Sequence, residues 1–134
     1  MRTSISVLLA LAALAVAIPA AGQTATPTAP FQKVSDLVDL PEFLPGIGIL
    51  FVDPATLPAG PFLAYDREGT LVSTTYMLPL SALNDRRDFV GLATGDAAVD
   101  RVDVQYNAGH PGVPEPHVHV VLWHVPAEKA RELR

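Results

Sequence analysis

Four histidines fall within one short stretch near the C-terminus: His110, His117, His119 and His124. His117-Val-His119 places two imidazoles on one face of a β-strand, because successive side chains point to opposite sides. Two ring nitrogens aimed from one face at one point make the first half of a metal site. His110, on the far side of a Gly/Pro-rich turn, is a candidate third ligand. Asp103 or Glu115 would supply a carboxylate, either on the ion or behind a ligating ring. A divalent, zinc-like ion suits that set. Without an ion, the same histidines read as surface or interface residues bonded to Asp103 and loop carbonyls. His124 falls on the opposite face, where packing or capping of the final helix would occupy it.

Other chemistries lack their residues. The chain has no cysteine, and Ser35, Ser73 and Ser81 stand outside any nucleophile motif. Gly46-Ile-Gly48 lies inside a strand pattern with no helix behind it, so it does not cradle phosphate.

The elements that must position the histidines are two alternating strands between Val99 and Val125. In the first, Val102, Val104 and Tyr106 face one way and Arg101, Asp103 and Gln105 the other. In the second, Val118, Val120 and Leu122 share a face, opposite His117, His119, Val121 and Trp123. The intervening Asn107–Pro116 segment is rich in chain-reversing residues, which predicts an antiparallel hairpin with a long, stiff loop. Aligning the polar faces puts Gln105 beside His117 and Asp103 beside His119. Trp123 and Val121, with Tyr106 and the apolar loop Phe43-Leu44-Pro45, are candidates for a pocket wall or a subunit contact.

Earlier segments read as strands at Gly46–Val52, Phe62–Tyr65, Thr70–Met77 and Phe89–Ala93, with a short helix within Phe31–Leu40 and a helical turn over Pro79–Asn84. Pro126 opens a short C-terminal helix with basic residues late, as the helix dipole favours. The expected fold class is mainly β, a β-rich α+β chain: a small antiparallel sheet of five or six strands, curled or closed as a small barrel or sandwich, plus that helix.

The N-terminus carries Arg2, an apolar run from Ile5 to Ile18, then Pro19-Ala-Ala-Gly-Gln. This is the pattern of a secretory signal peptide over 1–22, cut after Gly22 or after Ala20, and the run is short for a membrane span. A Thr/Ala/Pro linker over 23–30 and one β-rich domain over 31–134 complete the organisation. Export to the periplasm or beyond the cell is the expectation, with no membrane association after cleavage. A net charge of −5 leaves no electrostatic case for nucleic acid. With no disulfide available, core burial, thirteen prolines or subunit association must hold the fold.

Asp100-x-Val-Asp-Val-x-Tyr-Asn107, the turn after Gly109-His110, and Pro116-His117 on the next strand resemble a family of small exported bacterial proteins of unknown function. The likeness covers Gly46 to Val125; it departs from the commoner pattern at Val118-His119, where an aromatic and an acidic residue are frequent. It implies an exported, self-assembling β-rich domain with no established reaction. The spacing Gly112-x4-His117-x-His119 is also similar to the first motif of cupin barrels, but Val120 to Val125 offers no carboxylate. The leading expectation is a non-enzymatic homo-oligomer that binds a small molecule or divalent metal at the His110/His117/His119 face. The alternatives are a cupin-like metal-dependent enzyme with Glu115 as general acid or base, and a purely structural assembly.

Overall fold

The computed structural model describes residues 26–134. The signal peptide expected over 1–22, and the first residues of the linker, lie outside them. Seven strands form one open antiparallel sheet: β1 (Gln32–Lys33), β2 (Phe43–Leu44), β3 (Gly48–Val52), β4 (Phe62–Tyr65), β5 (Leu71–Pro79), β6 (Arg101–Asn107) and β7 (His117–Trp123). Their order is β1-β3-β4-β5-β7-β6, and β2 also pairs with β3. The protein is mainly β, as expected, and the sheet stays open. The strand number exceeds the expected five or six because two-residue β1 and β2 lie end to end along one edge of β3, Gln32 opposite Val52 and Phe43 opposite Ile49.

β5 is the spine. Its run Leu71-Val-Ser-Thr-Thr-Tyr-Met is rich in β-branched and aromatic residues, and it is paired on both sides, by β4 and by β7. Ala64 sits opposite Ser73 and Tyr65 opposite Leu71, so Val72 is an extra residue in a bulge. Val72 packs against Val125, Ala130 and Leu133, which anchors the C-terminal helix α2 (Ala127–Arg131) behind Pro126.

Two expected elements take other forms. No strand forms over Phe89–Ala93: the segment does not join the free edge of β6, and side-chain hydroxyls of β5 hold it instead. Tyr76 donates to the Ala93 carbonyl (2.7 Å) and Thr74 to the Thr94 carbonyl (2.8 Å). The helix expected within Phe31–Leu40 shrinks to one 3-10 turn, Val34–Asp36, because Gln32 and Lys33 are drawn into β1. The helical turn after β5 forms as α1 (Leu80–Asn84).

Residues 34–47 therefore act as a strap across one face of the sheet. Lys33 and Glu42 form an ion pair that closes the base of the strap, each holding the other in its charged form. Val34 packs on the cluster of Val52, Phe62, Met77 and Val113. Beneath the strap lies a cavity of about 500 Å³. Its floor is the sheet, its roof is the strap, and its end wall is the turn that carries His110.

Candidate metal centre

The β6–β7 hairpin has Asn107 opposite His117, Gln105 opposite His119 and Asp103 opposite Val121. This corrects the expected register by one residue pair. The slip is by two residues, so every side chain keeps its expected face. Asn107 starts the turn itself: its Oδ1 accepts from the Gly109 amide (2.8 Å), which lets strand pairing run to the last residue before the loop.

The turn is rigid where it must be. Gly109 has φ +121°, and a Cβ there would lie 2.3 Å from the Pro114 carbonyl oxygen, so only glycine fits. His110 and Val113 exchange two backbone hydrogen bonds of 3.0 Å, and Val113 is buried in the core cluster. Those contacts bring His110 back over β7, its ring centroid 5.0 Å from that of His117 and 5.6 Å from that of His119.

His110, His117 and His119 each offer one ring nitrogen, and the three nitrogens lie within 4.8 Å of one another. The backbone sets which nitrogen is offered. His117 Nδ1 lies 2.7 Å from the Glu115 carbonyl oxygen and His110 Nδ1 lies 3.0 Å from that of Pro111. A carbonyl only accepts, so each Nδ1 carries the proton and each Nε2 presents a lone pair. Orientation of a ligating ring through its other N–H is the usual support of a metal-bound histidine. His117 Nε2 and His119 Nε2 are 2.9 Å apart; tetrahedral zinc with Zn–N of 2.0–2.1 Å needs about 3.3 Å between ligand nitrogens. Three histidines can therefore hold a metal ion after shifts of a few tenths of an ångström to about an ångström and a half.

His117 is fully buried, with no solvent-accessible area. Burial, followed by the neighbouring His117 and His110, pushes the pKa of His119 down to about 4 from the usual 6.5. A ligating imidazole must be neutral, and His119 is held neutral at every pH near 7.

The expected carboxylates stand elsewhere. The Glu115 side chain accepts from the Ser81 hydroxyl (3.2 Å) on the exposed surface, and the residue serves the site through its backbone carbonyl. Asp103 accepts from the Trp123 indole (2.8 Å), while Arg101 lies over the same indole, 4.7 Å from its centroid. Neither carboxylate lines the cavity. Val121 and Trp123 line the cavity, whereas Tyr106 is on the opposite, exposed face. His124 caps no helix: its Nδ1 bonds the Ala98 carbonyl (2.9 Å) and its Nε2 the Thr74 hydroxyl (2.9 Å), pinning the segment before β6. Gln105 and Asn107 line the cavity beside His110 and His119, and so do strap residues from Val34 to Ile47. The Asn-Ala-Gly run at 107–109 was the available signal for the turn; the strap's signal was partial, with Val34, Leu37 and Val38 at helical spacing and the apolar loop Phe43-Leu44-Pro45.

Fold and site together define a small open-sheet β protein with three convergent histidines at the end of an apolar cavity. The crystal structure of hypothetical protein TTHB210 from Thermus thermophilus is similar, at 45% identity and a TM-score of 0.63, with the match covering 70% of this chain and 92% of that one. The chain belongs to the same family as that Thermus protein. No family model matches the chain, and no curated protein does either.

Proposed function

We propose that this is an exported, self-associating binding protein that holds one divalent, zinc-like ion on His110, His117 and His119. The observation that carries the metal reading is the pair of backbone-anchored Nδ1 groups, which leave the Nε2 lone pairs of His110 and His117 free, that of His117 2.9 Å from His119 Nε2, with one nitrogen of each ring within 4.8 Å of the others. Binding is favoured over turnover because no carboxylate, lysine or tyrosine lines the cavity among the described residues. Glu115, the acid or base that an enzyme reading needs, bonds Ser81 instead.

Export rests on the apolar run from Ile5 to Ile18 and the small residues behind Pro19, with the periplasm or the cell exterior as destination. Self-association rests on β6. It is an edge strand, and Val102, Val104 and Tyr106 on its outer face are 53%, 69% and 68% exposed. A free edge with an uncovered apolar row is what pairing between copies removes from water.

Native mass spectrometry of the mature protein, purified without an affinity tag, tests both parts. We expect one zinc ion per chain, lost to chelator, and an oligomeric mass. A chain that takes up no zinc, or that binds it equally after His117→Ala and His119→Ala, overturns the metal reading. A monomer at micromolar concentration overturns self-association.

A further inference from the structure

The cavity beside the histidines has a shape and polarity that select a ligand. Its floor draws on five adjacent strands, β3, β4, β5, β7 and β6. At about 4.8 Å per strand spacing it extends for up to about 19 Å across the sheet. A volume of about 500 Å³ spread over that full length averages about 26 Å² in cross-section, a long, narrow space that suits an extended chain. Its walls are Val34, Val38, Leu50, Phe62, Met77 and Val121, with Trp123. An apolar cavity of about 150 Å³ takes one benzene, so this one takes roughly twenty non-hydrogen atoms.

One end is different. His110 and His119 reach the cavity, flanked by the amides of Gln105 and Asn107, and no lysine or arginine among the described residues lines it. Three neutral imidazoles around a divalent ion leave its charge unbalanced and one tetrahedral position open. An anionic oxygen donor answers both. Leu37 and Leu57 line the same cavity and are 40% and 47% exposed, so it opens to solvent along the strap as well as beside the histidines, where Gln105, Pro111 and Gly112 are exposed.

We propose that the cavity binds a single-chain aliphatic carboxylate, a fatty-acid-like molecule. Its chain lies beneath the strap and its carboxylate sits on the ion held by His110, His117 and His119. This rests on the metal reading above. The carboxylate has no other counter-charge in the wall, so binding depends on the ion; the tail supplies most of the affinity, because apolar area removed from water scales with its length.

Trp123 is the chain's one tryptophan and lines the cavity, so its fluorescence reports occupancy directly. The experiment titrates the mature protein, zinc-loaded and chelated, with dodecanoate, dodecanol and acetate, while metal content is measured separately. Dodecanoate should bind the zinc-loaded protein about tenfold or more tighter than the chelated protein, and about tenfold tighter than dodecanol. Acetate should bind far more weakly than either. Val121→Phe in the floor, and Leu37→Phe at the exposed opening, should each weaken dodecanoate at least about tenfold while zinc content stays at one per chain. Full zinc occupancy with no dodecanoate binding, or with equal binding of dodecanoate and dodecanol, overturns the proposal and leaves the metal reading intact. Absence of zinc uptake overturns both, and the metal analysis shows which has failed.

Discussion

The two faces of the β6–β7 hairpin invert the ordinary relation between polarity and burial. On one face, His117 is fully enclosed and His119 and Val121 lie under the strap and the Gly109–Val113 turn. On the other, Val102, Val104 and Tyr106 stand in solvent beside Val118, Val120 and Leu122, which are half-buried. A polar side chain is buried here only because both of its nitrogens are used: Nδ1 on the Glu115 carbonyl and Nε2 against His119. An apolar row is exposed because nothing among the described residues reaches past the sheet edge to cover it. The comparison teaches that this fold builds its specific chemistry inward and leaves its non-specific adhesion outward, on alternate residues of the same two strands.

The comparison breaks most severely at His117. His117→Ala removes a fully buried ring, a ligand and the partner of a buried carbonyl, so it should cost about 2–4 kcal/mol of stability as well as all zinc binding. Urea unfolding with and without zinc reads the two losses separately. Retained zinc stabilisation in the variant would show that the buried face is packing alone.

Gly109→Ala attacks the same face without touching a ligand. The new Cβ meets the Pro114 carbonyl oxygen at 2.3 Å in a backbone conformation that side chains avoid. The turn must shift and carry His110 with it. Zinc affinity should fall about 10- to 100-fold, the size seen when supports of a ligand are removed, with a stability cost of about 1–3 kcal/mol. Competition with a colorimetric chelator measures it. An unchanged affinity would mean that His117 and His119 suffice.

How much of this was legible follows from the same two faces. Period-2 alternation located both strands and sorted every side chain to its correct face, because a strand's geometry is written in nearest neighbours. The three-histidine cluster followed from that, and the structure brings it together. The register did not follow, since Gln105 and Asp103 are equally good partners for a histidine and only the Asn107–Gly109 turn decides between pairings. The roof of the cavity did not follow either. It exists because residues 34–47, far from the hairpin in sequence, cross over it; such a contact leaves no local period. The strand expected over Phe89–Ala93 failed for a related reason, because the segment is held by the Tyr76 hydroxyl of β5, a contact between residues distant in sequence.

The outer face should respond to charge and the inner face to acid. Val104→Asp places a carboxylate in the exposed row; at a position 69% exposed it should change monomer stability by no more than about 0.5 kcal/mol. It should nonetheless weaken self-association, read by light scattering after size exclusion at matched concentrations. An unchanged mass would move the subunit contact elsewhere. Acid acts through His119, whose pKa falls from 6.5 unfolded to about 4 folded. Between those values the unfolded chain binds the extra proton, so this residue's contribution makes stability decline as pH drops through that window and level off below it. His119→Gln should flatten that part of the profile of the metal-free protein.

The smallest effect expected is also the sharpest test of how the centre is built. Glu115 was the natural carboxylate for a zinc ligand on sequence grounds, two residues before His117 and inside the turn. Its side chain instead accepts from Ser81 at 3.2 Å on an exposed surface, where such a bond contributes a few tenths of a kcal/mol. What the centre takes from this residue is the backbone carbonyl, which fixes the His117 tautomer and which no side-chain replacement removes. Glu115→Gln should leave zinc content, zinc affinity and stability unchanged within error, while retaining an acceptor for Ser81. A loss of affinity of tenfold or more would mean that the carboxylate swings inward to complete the metal, filling the position assigned above to an external oxygen donor. The buried face would then be a closed structural site of four ligands, and the cavity beside it would lose the charged end that makes it selective.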